Sequence, residues 1–213
     1  MANSNSPFGL KPVRYLTGAT YNGKATPYYI QSDYATALFI GDPVIKTGTA
    51  NTAEVNVPGA GKFNIGTMPA INKATAGDAQ RVTGAIVGFT ALPTDLGKNY
   101  NPASTARVAW VADDPSLVFE IQADGAIPAT SIGLNAVFIY TQSGSTTTGL
   151  SGVELDTTSD VPAADASNQM LILRAVNRED NDTTITRAKV EVLLINHTEA
   201  MGNTANGDGI LGV

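Results

Sequence analysis

The sequence predicts an all-β fold, a β-barrel or sandwich with long loops and extended N- and C-terminal arms. Three observations carry this expectation. Gly (21) and Pro (11) are plentiful and Thr, Ser, Ala and Val abundant, which is the material of strands and turns. Charged residues make up only 15% of the chain, well below the usual quarter, so long charged helices are not expected. The apolar residues fall in short runs, several with a period of two, separated by turn signals. A chain of 213 residues is long enough to bury a real core. It divides into an extended N-terminal arm (1–26), a single all-β domain (27–200) with a polar insert around 141–168, and a flexible C-terminal tail (201–213).

The elements follow in order. Pro7 and Pro12 remove backbone donors and push Ser6 and Lys11 toward extended conformations, and Gly9 between them makes a helix improbable. Pro7, Phe8, Leu10, Pro12, Val13 and Arg14 therefore read as an extended segment with apolar anchors, suited to docking on its own subunit or on a neighbour. Tyr28–Gln31 and Thr36–Ile40 look like short strands, and Gly41-Asp-Pro43 turns into Val44–Lys46. Residues 47–80 read as loops and short pairings, with weak strand signals near Glu54–Val57 and Phe63–Ile65. Arg81–Phe89 is a stronger strand, in which Gly84 and Gly88 mark a bulge or a close backbone approach. Arg107–Val111 puts Val108 and Trp110 on one face, so Trp110 is expected inside. After the Asp113-Asp114-Pro115 turn, Leu117, Phe119 and Ile121 share one face and Val118, Glu120 and Gln122 the other, as in a half-buried strand. Ile127–Asn135 has room for one helical turn, and Leu134–Tyr140 is another strand. The polar stretch 141–168 has the length of a functional or disordered loop. Gln169–Val176 and Thr184–Asn196 are long strands joined by the polar loop Asn177–Thr183. The tail ends in an apolar group, Ile210, Leu211 and Val213, a candidate anchor.

A net charge of -6 argues against a nucleic-acid surface, which needs concentrated Lys and Arg. No apolar stretch approaches the roughly 18–20 residues of a membrane span, so neither nucleic acid nor membrane is an expected partner. Residues 1–14 lack the basic start and apolar run of an export segment. With no cysteine, disulfides and thiolate sites are excluded.

Motifs for chemistry fail one by one. His197 is the only histidine, and neither Gly149-Leu-Ser-Gly152 nor Gly144-Ser145 fits a nucleophile elbow, so it reads as a solvated or packed strand-end residue. Usual zinc sites are excluded with it. Pro58-Gly-Ala-Gly-Lys-Phe63 approaches a phosphate-binding loop, but Asn56 stands where a glycine is required and Phe63 where Ser or Thr is, so it reads as a turn. Asp113 and Asp114 read as turn residues. Glu179, Asp180 and Asp182 sit in a hairpin loop without EF-hand spacing, as a solvated acidic cluster. The triplets at Asn181 and Asn196 match the glycosylation pattern by chance. Catalytic, cofactor-binding and metal-binding residues are therefore all expected to be none.

One likeness runs across the chain. Met1–Arg14 resembles the opening of head decoration, or cement, proteins of tailed bacteriophages. The likeness continues through Phe39–Val44, Val82–Phe89, Val111–Ile121, Gly144–Gly149, Ser151–Asp156 and Asn177–Asn181. The resemblance implies an all-β, non-enzymatic, late structural protein made in the host cytoplasm and bound to the outer capsid surface. It would bridge major capsid protein subunits, as a homotrimer at three-fold and quasi-three-fold positions. The alternatives are another virion component, such as a head fibre or tail protein, and a carbohydrate-binding β-domain. The last would need an exposed aromatic platform from Tyr28, Tyr29, Tyr34 and Trp110.

Overall fold

A computed structural model describes residues 3–200, and these are nearly all β. In chain order the strands are β1 (Lys11–Tyr15), β2 (Thr26–Ile30), β3 (Pro43–Ala50), β4 (Val55–Val57), β5 (Gly61–Phe63), β6 (Pro69–Lys73) and β7 (Gly84–Phe89). There follow β8 (Arg107–Ala112), β9 (Leu117–Gln122), β10 (Asn135–Ala136), β11 (Phe138–Ile139), β12 (Glu154–Leu155), β13 (Met170–Ala175) and β14 (Lys189–Leu194). The expected helical turn is a short 3₁₀ segment, Ala129–Ser131.

Strands β2, β6, β3, β7 and β8 close into a barrel in that order. Five strands cannot alternate direction all the way round a ring, so one neighbouring pair must be parallel, and it is β2 with β6. Alternate residues of all five strands fill the interior: Tyr28, Ile30, Val44, Ile71, Ile86, Ala109 and Val111. A five-stranded antiparallel sheet, β1-β9-β14-β13-β10, packs against the barrel's outer wall. Its core face carries Leu117, Phe119, Ile121, Met170, Ile172, Val190 and Val192, which meet Ala85 and Ala112 of the barrel. Those small side chains let sheet and barrel approach. Elsewhere the β4–β5 hairpin covers Tyr29, Met68 and Val108.

Several sequence expectations are corrected. Thr36–Ile40 is not a strand; Leu38 and Ile40 make single bridges to Asn101 and Leu150. Leu134–Tyr140 breaks at Val137, so that β10 joins the large sheet and β11 pairs with β12. β6 lies within the stretch read as loops; it opens on Pro69, and its short apolar pair, Ala70-Ile71, is followed by the polar Asn72-Lys73, which gives little periodic signal. β9 is buried on both faces, because β1 and β14 flank it and the outer face is covered as well. Within 141–168, residues 151–156 are buried, since the segment threads between barrel and sheet.

The N-terminal segment is part of this core. Leu10 is 1% exposed and belongs to the main cluster, and β1 pairs with β9 along Lys11–Tyr15. Gly9 (φ 72) and Gly41 (φ 92) pass so closely that a Cβ on Gly9 would lie 2.3 Å from the Gly41 carbonyl oxygen. Both the left-handed conformation and the absent side chain are required there. Replacing Leu10 with Ala is expected to lower the unfolding free energy by about 2–5 kcal/mol, as for other buried leucines. Urea titration of the two chains measures this, and equal midpoints would remove the segment from the core.

Candidate functional site

The arm residues fold back onto their own chain. Asn3 Nδ2 donates to the carbonyls of Asp182 (2.7 Å) and Thr186 (3.0 Å), and the Asp182 N–H donates to Asn3 Oδ1 (2.9 Å). The Ser6 N–H donates to Gln122 Oε1 (3.1 Å), and Leu10 N–H to the Gly41 carbonyl (2.8 Å). Arg14 meets Glu191 at 2.7 Å, and Arg174 meets the other oxygen of the same carboxylate at 2.7 Å. Burial alone would raise Glu191, but these two guanidiniums outweigh it and hold its pKa below the ordinary value. Pro7, Phe8, Pro12, Val13 and Arg14 are each half-buried. Of the two surfaces left open by the sequence, its own subunit or a neighbour, the segment adds its strand to its own sheet edge. The far edge of β1 is in turn covered by residues 19–21, through Tyr21 N–H to the Val13 carbonyl (3.1 Å) and an Arg14–Thr20 bridge. Residues 11–15 are therefore stitched into the sheet, and β2 begins at Thr26, inside the span read as the arm (1–26). Ile210, Leu211 and Val213 lie outside the described residues.

Folding the segment back creates a groove of about 600 Å³ along its outer side. It is lined by Phe8, Leu10 and Pro12 of the segment, by Tyr21, Ile40, Val87 and Leu150, and by Ile86, whose side chain fills the barrel. Lys11 and Arg178 stand at the rim. Arg178 is held by Glu120 (2.8 Å) and Asp180 (3.6 Å), whereas Lys11 is exposed and makes no ion pair among the described residues. An apolar floor with a charged rim is the make-up of a protein-docking surface. Sequence reading singled out Phe8, Leu10 and Pro12 but not the rest of the lining. Ile40, Ile86 and Leu150 look like ordinary core residues in one dimension.

The acidic and polar groups outside the groove are engaged structurally. Glu154 is fully buried and accepts from Gln122 (2.7 Å), Arg187 (2.7 Å), Thr141 (3.1 Å) and Gln142 (3.2 Å). Asp42, also fully buried, accepts the Phe39 N–H (2.8 Å) and the Ser151 hydroxyl (2.6 Å), and Lys73 lies 3.3 Å away. Burial pushes its pKa up, against the pull of Lys73 and these donors. Asp113 accepts from Thr26 (3.0 Å) and from the Tyr28 hydroxyl (2.9 Å), and Asp114 from Ser116. Burial and then the Asp113 carboxylate push the Tyr28 phenol far above its usual range. Glu179, Asp180 and Asp182 do not converge: Asp182 accepts from Thr184 and Asp180 faces Arg178. Pro58–Phe63 forms the β4–β5 turn, with Lys62 paired to Glu54 at 2.8 Å. Tyr28 and Tyr29 are buried, and Trp110 is only half-buried, packed on the hairpin-covered cluster; no aromatic platform forms from them.

His197 is 3% exposed, and its Nδ1 accepts the Glu199 N–H at 3.0 Å, which fixes the neutral ring. It also marks a seam, because residue 197 bridges to Val82 at the entrance to β7. Comparison with known proteins finds no match: no family model, no curated protein and no solved structure.

Burial lowers the His197 pKa below its ordinary 6.5, with Asp113 pulling upward and Lys46 adding to the fall. A depressed folded value means that the unfolded chain takes the proton first. The stabilising contribution is full above about 6.5 and is lost as pH falls toward the folded value, by at most about 1.4 kcal/mol per unit. Urea unfolding between about pH 7.5 and 5.5 should show this slope, and His197→Gln should flatten it; an equally steep profile in the variant would assign the loss to other groups.

Proposed function

We propose that the chain is a structural virion protein, a decoration or cement protein that binds the outer surface of a phage capsid. It acts as a homotrimer at three-fold and quasi-three-fold positions and holds neighbouring major capsid protein subunits together. One observation carries this reading. Apart from Tyr21 and Leu150, the groove-lining residues come from the stretches through which the sequence resembles that family. Phe8, Leu10 and Pro12 lie in the first stretch, Ile40 and Gly41 in the second, Ile86 and Val87 in the third. Glu120 and Arg178 come from two more. Stretches that carry a likeness and lie far apart in sequence thus meet at one apolar, charged-rimmed groove.

The physics of the role agrees. Holding capsomers against outward DNA pressure needs no chemistry, only many copies of a rigid body with a pre-formed docking surface. Each subunit contact is modest, but three on one trimer gain avidity of roughly 10²–10⁴-fold.

The test is imaging of cement-free capsids of a tailed phage mixed with purified chain. Density is expected outside the shell at three-fold and quasi-three-fold positions. Phe8→Asp should reduce occupancy about tenfold or more, through loss of the groove contact on which multivalent binding depends. Bare capsids at saturating protein would overturn the reading.

A further inference from the structure

We propose that the groove receives the apolar end of the tail, Asp208–Val213, from a neighbouring copy of this chain, so that copies join head to tail into a closed ring. The inference rests on the reading of the chain as a self-associating decoration protein, and it names the partner of that protein's groove.

The first ground is where the described chain ends. The Thr198 N–H donates to the Val82 carbonyl (2.9 Å), and the Thr198 hydroxyl meets that of Thr83 (3.0 Å). The tail therefore departs beside the start of β7, the strand whose Ile86 and Val87 line the groove. Exit and groove lie about 13 Å apart along that strand, at about 3.3 Å per residue. The second ground is reach. Extended chain from Ala200 to Ile210 spans about 35 Å, at about 3.3–3.6 Å per residue, enough to cross to an adjacent copy. Its composition, Met-Gly-Asn-Thr-Ala-Asn-Gly-Asp-Gly, is that of a polar spacer, and the apolar groups follow together as Ile210-Leu211-Gly212-Val213.

The third ground is complementarity. Ile210, Leu211 and Val213 match an apolar floor, and Asp208 just before them matches Lys11, the rim cation without an ion pair among the described residues. Tail and groove are different surfaces, so the contact is heterologous: each copy gives one tail and accepts another. Such a contact either runs into a filament or closes when the rotation permits, and closure at three gives the trimer.

The test is molar mass by light scattering across a concentration series, with circular dichroism confirming that each variant is folded. The full chain is expected to be a trimer. The chain lacking residues 201–213 is expected to be a monomer, and so is full-length Phe8→Asp. Mixed together, these two should form a one-to-one pair and stop, because one keeps a groove and the other a tail. Lys11→Glu, at an exposed position, should weaken association about tenfold, and Asp208→Lys should restore it. A monomeric full chain would overturn the proposal, whether its groove is empty or filled by its own tail. Trimers that persist without the tail, or a mixture that does not pair, would do the same. Capsid occupancy measured in parallel separates the two readings. Capsid binding by a chain that fails these association tests sinks only the tail exchange. A tail-exchanged trimer that ignores capsids sinks only the cement reading.

Discussion

The structure depends on one crossing point, residues Phe39–Asp42. Gly41 accepts the Leu10 N–H (2.8 Å) and donates its own N–H to the Ile86 carbonyl (2.7 Å). Ile40 donates to the Gly149 carbonyl (2.9 Å) and accepts from the Ser151 N–H (2.8 Å). The buried Asp42 carboxylate then fastens Phe39, Ser151 and Lys73. Four segments far apart in sequence are held by a stretch that is itself no strand. A buried carboxylate is costly unless every lone pair is used, and the side-chain partners here come from two different segments. Loss of the crossing would free the N-terminal segment, the 149–151 segment and the start of β3 together.

That crossing explains how two β systems become one body without disulfides. The barrel fills its interior with alternate residues, which leaves its outer wall to be covered by something else. The large sheet covers part of that wall through Ala85 and Ala112, and the small hairpin covers another part over Tyr29 and Val108. The join between the large sheet, the N-terminal segment and residues 141–154 is sealed by a polar network. Glu154 gathers donors from Gln122, Thr141, Gln142 and Arg187, and Asn5 accepts from two of the same amides at 3.2 Å. Full satisfaction makes such a network rigid and specific to one arrangement.

Much of this was legible in the sequence, and the parts that were not share a cause. The alternation of Leu117, Phe119 and Ile121 identified β9 and its core face correctly, because periodicity of two is a local property. The same run hid the fact that Glu120 and Gln122 are buried as well, since burial of a polar side chain depends on partners elsewhere: Arg178 for one, Ser6 and Glu154 for the other. The stretch 141–168 looked solvated for the same reason; Ser151 and Glu154 are polar residues whose partners are remote. Of the apolar residues singled out in the N-terminal segment, Leu10 is buried in the core and Phe8 and Val13 are half-buried. Whether they met their own sheet or a neighbour's was decided by Gly9 and Gly41, whose close passage is a three-dimensional fact.

The folded-back segment changes where the working surface lies. A free arm that orders on docking gives up conformational entropy at that moment, roughly 1–2 kcal/mol for each residue fixed, and binds more weakly for it. Here residues 3–15 are ordered by β9, Gly41 and Gln122 during folding, so that cost falls on folding and not on association. What the segment presents to the outside is then a surface of fixed shape, in which Phe8 and Pro12 line the same groove as Val87 and Leu150. A pre-formed groove binds with more of its contact energy intact than a flexible arm of the same area. The N-terminal segment therefore serves function by rigidity, as one side of a socket, and the part of the contact that must adapt belongs to whatever enters it.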